Sequence, residues 1–364
     1  MSADAPARPP GLGEPAPPFV AASDSNPRFV FDTAAGRYLL LVFLGSAAIP
    51  ASAEAWERLA AAQAEGRLDD ERCAAFAVTM DPADRDRIAD RLPGLRVLRD
   101  HDGAVSRLYG AAAGAQAFPY ALLLDPALRV LAGAPLSGLP ALLEQIARLP
   151  PPAQHAGLET PAPVLVLPRV LEPEFCARLI ALYEAHGGRE SGFMRDVEGR
   201  TVEVADPRHK RRRDHIIEDE EVKAGLRARL ARRLLPEIRK AFQFDATRIE
   251  RYIVACYDAA EGGHFRAHRD NTTLGTAHRR FAVTINLNAE FEGGLLRFPE
   301  FGARLYRPPP GGAVVFSCSL LHEVTPVTRG RRYAALPFLY DDAAAALRER
   351  NQRHLGPAEG TPPG

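Results

Sequence analysis

His268 and Asp270 stand two residues apart in the stretch HFRAHRDN, residues 264–271. On extended chain, residues i and i+2 project from one face, so an imidazole and a carboxylate are offered together, as a strand offers two ligands to one metal ion. A third ligand has to come from another strand, and SLLHEVTPVTRGRRY supplies His322 beside an apolar strand end. Two imidazoles and one carboxylate on one side of a metal leave positions open opposite, the arrangement in which non-haem Fe(II) takes up a co-substrate and O2. Zinc accepts the same donors. Arg332 separates the two metals. It follows His322 on the next strand, and its guanidinium fork matches the distal carboxylate of a dicarboxylic keto acid, for which a hydrolytic zinc site has no use. Neighbouring groups fall outside the set. Arg269 alternates to the opposite face, and His264 shares the face of His268 but would lie ~13 Å away along extended chain. His278 is set aside as a ligand, and Arg331 alternates away from Arg332 into solvent.

The elements that must position these groups follow from apolar patterning. From about residue 247 the chain reads as closely spaced strands, RIERYIVACY, RRFAVTINLNA, GGLLRFP, GGAVVFSCSL and RRYAALPFLY, separated by Gly and Pro turns. Many short strands of this kind predict a double-sheet jelly roll. Helices are predicted at 172–187 and 219–235, where EVKAGLRARLARRLL spaces its apolar residues near 3.6. Earlier, the runs at 38–45, 73–81 and 120–125 alternate with a helix-like stretch at 51–66, which predicts an α/β layered domain. Between the halves, ARLPPPAQHAGLETPAP (147–163) carries five prolines and no apolar period, the composition of a linker.

At 364 residues the chain is long enough for two domains of ordinary size. Its 46 basic and 46 acidic side chains cancel, so overall charge gives no reason to expect a nucleic acid or a membrane surface as partner. The opening residues lack a signal-peptide pattern and no apolar run reaches membrane-spanning length, which predicts a cytoplasmic protein. Cys73, Cys176, Cys256 and Cys318 are far apart and form no CxxC pair, so each is expected to be a buried apolar residue. RHKRRRDH (208–215) is a basic run of a kind that can bind nucleic acid. EDEE at 218–221 can neutralise it, and it is read as a solvated loop or a lid that recruits an acidic or peptide substrate.

The stretches YDAAEGGHFRAHRDN, FEGGLLRFPEFG and PPPGGAVVFSCSLLHEVTPVTRGRRYAALPFL resemble the 2-oxoglutarate and Fe(II)-dependent dioxygenases, in particular the prolyl 4-hydroxylase-like group. That resemblance spans about residues 160–342. It implies a double-stranded β-helix (jelly roll) with flanking helices, His268, Asp270 and His322 as iron ligands, and Arg332 as the 2-oxoglutarate anchor. It also implies that Tyr257 reaches the co-substrate and that Thr284 helps hold the far carboxylate. The cofactors so implied are Fe(II), 2-oxoglutarate, O2 and, as a reductant, ascorbate. The reaction so implied is hydroxylation of a C–H bond of a protein, peptide, amino-acid-like or small-molecule substrate, with release of succinate and CO2. Collagen-type prolyl hydroxylases carry lysine where this chain has Arg332, so the iron chemistry transfers more safely than a prolyl substrate does.

The first half is similar to peroxiredoxins over about residues 11–148, which implies an α/β thioredoxin-like sandwich. Pro119 stands where such folds often have a cis-proline. The segment GSAAIPASAEAW, where the reactive cysteine belongs, has none, and Ser46 and Ser52 cannot replace a thiolate. The expected organisation is a disordered tail at 1–10, the thioredoxin-like domain at 11–148, a linker at 149–163, the dioxygenase domain at 164–342, and a C-terminal helix with a disordered tail at 343–364. A homodimer is left open. Two other readings are carried: an idle oxygenase fold serving as a binding module, and a thiol peroxidase with an appended regulatory domain.

Overall fold

The structure is a computed structural model in which residues 8–356 are described. The tail expectations at 1–7 and 357–364 lie outside the described residues. Two compact units are present, one of Met1–Pro161 with Pro299–Ala303 and one of Ala162–Phe298 with Arg304–Gly364.

In the first unit, β1 (Tyr38–Gly45) has eight consecutive buried residues, the signature of a strand covered on both faces. It runs parallel to β2 (Cys73–Thr79), which runs parallel to β3 (Leu95–Arg99). On the other side β1 pairs antiparallel with β4 (Tyr120–Leu124), which pairs with β5 (Val130–Pro135). Two short N-terminal strands complete a seven-stranded sheet. Helix α1 (Pro50–Ala64) begins on a proline in its first turn, where a missing N–H costs nothing. It joins α2 (Leu139–Arg148) in covering the core built on Trp56, Leu59, Leu142 and Ile146. The first residues of the proposed linker pack here: Tyr38 donates its hydroxyl to the Pro150 carbonyl at 3.0 Å, and Pro152–Gln154 forms a 3-10 turn. Arg8, expected in a disordered tail, pairs with Glu14. Among the described residues the cis peptide is Leu92–Pro93, not the bond preceding Pro119.

The second unit is an antiparallel double sheet with helices on one side. Its larger sheet has ten strands. At its centre β6 (Phe281–Asn286), β7 (Val327–Ala335), β8 (Ile253–Asp258) and β9 (Arg213–Ile216) pair in that order. The smaller sheet has five strands, including Lys210–Arg211, His264–His268, His322–Val324 and Leu296–Arg297. Helices α3 (Pro173–His186) and α4 (Glu220–Arg233) cover the larger sheet through Leu179, Tyr183, Leu226 and Leu230. Asp219 caps α4 by accepting from the amides of Glu221 and Val222. Between the sheets, Tyr257 packs with Phe265, Phe291, Val324 and Val327. No helix among the described residues is long and apolar enough to cross a membrane.

Candidate metal and co-substrate site

Register brings the two histidines together. His268 ends its strand directly opposite His322, with a bulge between Phe265 and His268, and paired residues on antiparallel strands present their side chains side by side. The ring centroids lie 4.3 Å apart. Asp270 stands beyond the strand, in the turn that follows it, so the uniformly extended chain assumed for the pair is corrected here. Its backbone N–H is held by the Cys318 carbonyl at 2.9 Å, which folds the turn back over the imidazoles. Asp270 Oδ1 is 3.6 Å from His268 Nε2, and Asp270 Oδ2 is 3.4 Å from His322 Nε2. The three donor atoms lie within 4.8 Å of one another.

The tautomers follow from what surrounds the rings. His268 Nδ1 faces the Arg266 carbonyl at 2.8 Å, and His322 Nδ1 faces the Leu320 carbonyl at 3.0 Å. A carbonyl only accepts, so each Nδ1 carries a proton and each Nε2 is the ring nitrogen presented toward Asp270. Burial, followed by the neighbouring His322, pushes the His268 pKa down to about 4, so this ring is neutral at physiological pH. Burial opposes ionisation of Asp270, but His322 and His268 outweigh it and hold its carboxyl well below the usual range. Two imidazole lone pairs and a carboxylate converging on one point is a donor set that fits a divalent cation.

The second part of the site lies on the larger sheet. Arg332 and Tyr257 are directly paired across β7 and β8, and Arg332 CZ lies 5.3 Å from the Tyr257 ring centroid. Arg332 is 2% exposed. Its Nε donates to Asn286 Oδ1 at 3.0 Å and one terminal nitrogen donates to Thr284 Oγ1 at 2.8 Å, while the other, NH1, is buried with no partner. Burial lowers the Arg332 pKa and no carboxylate among the described residues compensates. An orphaned, sealed guanidinium N–H is what an incoming carboxylate would satisfy. Gly294, at φ +62°, keeps this space open, since a Cβ there would stand 3.2 Å from Arg332 Cδ and 2.7 Å from Val327.

Asn286 escaped the sequence reading. It lies two residues after Thr284 on one strand, so the alternation that puts Thr284 toward Arg332 puts Asn286 there as well. The basic run requires a larger correction. Arg212 and Lys210 are buried rather than solvated, and the neutralising partner of Arg212 is Asp214, not the acidic run at 218–221. Arg212 grips Asp214 bidentately at 2.7 and 2.6 Å and reaches the Tyr257 hydroxyl at 3.4 Å. Lys210 Nζ donates to Ser191 Oγ at 2.7 Å and to the Gly192 carbonyl, and lies over the Phe265 ring. Arg212 and the Arg251 and Lys210 charges keep the Asp214 carboxyl down at about 2 against the cost of burial. Arg211 and Arg213, the exposed members of the run, donate to backbone carbonyls at Pro207, Glu261 and Gly188.

Other side chains sort themselves. His264 faces the Gly262 carbonyl at 2.8 Å, and His278 engages Glu250 at 2.5 Å. Neither joins the triad. Arg269 donates to the Ser319 carbonyl. Arg331, expected free in solvent, pairs with Asp258 at 2.7 Å. Arg279 ties the triad to the sheet: it donates to the Asp270 carbonyl at 3.4 Å and to Glu250 Oε1 at 2.7 Å, and it stacks on Phe338.

Residues 252–340 match the 2OG-Fe(II) oxygenase superfamily. A PKHD-type hydroxylase of Synechococcus sp. (strain JA-3-3Ab) is 28% identical over 114 residues, covering 29% of this chain and 48% of the relative. One of Azoarcus sp. (strain BH72) is 32% identical over 105 residues, covering 27% and 44%. The chain thus spans about half the length of these relatives. Among solved structures, a Pseudomonas putida prolyl-4-hydroxylase aligns at 21% identity and TM-score 0.37, covering 50% of this chain and 94% of the other. A Trichoplax adhaerens prolyl hydroxylase bound to a hypoxia inducible factor peptide aligns at 18% and 0.38, covering 50% and 86%. The segment that builds the triad and the arginine clasp is therefore similar to the 2OG-Fe(II) oxygenase superfamily, and its relatives are PKHD-type hydroxylases.

Proposed function

We propose that the chain is an Fe(II)- and 2-oxoglutarate-dependent dioxygenase that hydroxylates a C–H bond of a protein, peptide or amino-acid-like substrate. Members of the 2OG-Fe(II) oxygenase superfamily use Fe(II), 2-oxoglutarate and O2. The observation that carries the reading is the pairing of two unsatisfied groups in one unit: three converging metal donors and a sealed arginine with one N–H unused. In this reading His268, Asp270 and His322 hold the iron by one side and leave the other open. When bound, the iron supplies O2 activation and the oxidative decarboxylation of 2-oxoglutarate to succinate and CO2. Arg332 NH1 and the Thr284 hydroxyl receive the far carboxylate, and Asn286 fixes the guanidinium plane. Tyr257, backed by the Arg212–Asp214 pair, closes the wall beside Arg332.

The first unit is proposed to be a thioredoxin-like domain of the peroxiredoxin kind, with its parallel core β1–β2–β3 extended by antiparallel β4 and β5. In the loop after β1, Ser46 donates to Asp81 at 2.7 Å and the Ala47 amide donates to Asp84 at 2.8 Å, so the helix entrance is filled by the chain's own carboxylates. Its role here is to position or recruit rather than to reduce peroxide.

The test is anaerobic loading with Fe(II) and 2-oxoglutarate followed by admission of O2. Succinate should form, slowly without substrate, and a trapped substrate should gain about 16 Da, one oxygen atom. His322→Ala removes one of three donors and should lose both iron binding and succinate formation. An unchanged succinate yield in that variant would sink the assignment.

A further inference from the structure

Arg251 stands at the turn between Arg248–Glu250 and Ile253–Asp258, one residue outside the segment that matches the oxygenase superfamily. Three observations set it apart. Its φ is +66°, a left-handed conformation that a long side chain adopts only when its surroundings impose it, and such residues gather at functional sites. Its guanidinium makes no ion pair or hydrogen bond among the described residues, and its Nε is buried without a partner; it lies over the Phe338 ring, 4.7 Å from the centroid. Third, the charged groups around it are already committed to one another. Arg212 is matched by Asp214, Arg279 by Glu250, and Lys210 by Ser191 and the Gly192 carbonyl. Arg251 is the member of the group left with neither a counter-ion nor a hydrogen-bonded partner among the described residues. Burial and then the Arg212 charge push its pKa down to about 10, while Asp214 and Asp270 act in the opposite sense. The Phe338 ring under Arg251 pairs in register with Ala282, two residues before Thr284 on β6, so it faces the same side as Thr284, and it also carries Arg279, which donates to the Asp270 carbonyl at 3.4 Å.

An unpaired charge and an orphaned N–H both cost stability, and both would be relieved by a single carboxylate entering beside the triad. Arg332 already has its own clasp of Thr284 and Asn286 for the co-substrate, so a second anion is called for. We propose that Arg251 is the docking cation for a carboxylate of the substrate, and that the enzyme acts on acidic substrates: a peptide with aspartate or glutamate near the oxidised residue, or one presenting its C-terminal carboxylate. The proposal rests on the oxygenase reading of the site.

Two measurements test it. The first needs no turnover. A fluorescein-labelled hexaglutamate amide is titrated by fluorescence anisotropy into protein loaded anaerobically with Fe(II) and 2-oxoglutarate. Wild type should bind it in a salt-sensitive manner, Arg251→Gln should bind at least about tenfold more weakly, as expected for loss of a desolvated charge pair, and Arg251→Lys should recover part of the loss. The second compares succinate release stimulated by four peptide pools: acidic and amidated, neutral with a free C-terminus, neutral and amidated, and basic. Stimulation by the first pool assigns Arg251 to an acidic side chain, and by the second to a chain terminus. Stimulation chiefly by the neutral amidated or basic pool overturns the proposal. So does equal hexaglutamate binding by wild type and Arg251→Gln, or a loss of 2-oxoglutarate affinity in Arg251→Gln as large as the loss of hexaglutamate. A wild type that forms no succinate under any condition defeats the oxygenase reading instead, and the anisotropy result still decides Arg251. Arg251→Gly guards against a merely structural role. It suits the positive φ and removes the orphan, so it should melt no lower than wild type while losing hexaglutamate; a markedly lower Tm would make Arg251 a packing residue and overturn the assignment.

Discussion

Arg332 and Arg212 are both sealed from water, yet their removal should have opposite signatures. Arg332 has no carboxylate partner among the described residues. Arg332→Ala should therefore keep Fe(II), leave unfolding stability close to wild type, and weaken 2-oxoglutarate binding by ~2–4 kcal/mol. Equilibrium dialysis for each ligand separates these effects, and parallel loss of metal and co-substrate would point to a damaged fold. Arg212→Ala strands Asp214 as a buried charge, which costs about 3–5 kcal/mol of stability and should appear in denaturant unfolding. At this scale the sequence is informative where residue type and spacing are themselves the chemistry, as for His268, Asp270, His322 and Arg332. It is silent on Arg251, because neither a left-handed φ nor the lack of a partner is written in a single residue's identity.

Elements decide which of these groups meet. The register of His264–His268 against His322–Val324 makes the two imidazoles neighbours, and the turn after His268 returns Asp270 to them. The strands were readable from apolar runs bounded by Gly and Pro, but the bulge and the turn were not, since both depend on pairing with a distant strand. The basic run shows the same limit. Lys210, Arg212 and Asp214 alternate with exposed Arg211 and Arg213 at period two, a strand signal that charge composition conceals. A second clasp joins elements on the helical side, where Glu172 accepts from Arg229 Nε and an Arg233 terminal nitrogen, each at 2.6 Å. Those hydrogen bonds, Arg233 first, lower the Glu172 pKa from 4.5 to about 2. A depressed carboxyl stabilises the fold above its unfolded pKa, and the contribution is lost as pH falls from about 4.5 toward 2. The clasp is partly exposed, so Glu172→Gln should cost no more than ~1 kcal/mol at pH 7. The difference from wild type should shrink toward zero by pH 2.5 if unfolding is followed across that range.

At the scale of the whole molecule, one unit carries the three converging donors and the other holds a single cysteine, Cys73. Cys73 lies in the middle of the first unit's sheet, and burial pushes its pKa up to about 12. The full-length protein with a thiol reductant should thus consume hydrogen peroxide no faster than its Cys73→Ser variant, and faster turnover by wild type would restore the peroxidase reading. The same inaccessibility holds for Cys176, Cys256 and Cys318, all buried, the first two with pKa values raised to about 11. A thiol so protected reacts with an alkylating reagent only when its surroundings open, so its labelling rate reports the free energy of that opening. Cys73 is the one cysteine in the first unit, and the other three belong to the second. The native chain therefore carries a separate clock for each half: pulsed alkylation read by mass spectrometry would time the breathing of each unit without any engineered probe, and adding metal and co-substrate should slow the three clocks of the second unit while leaving that of Cys73 unchanged.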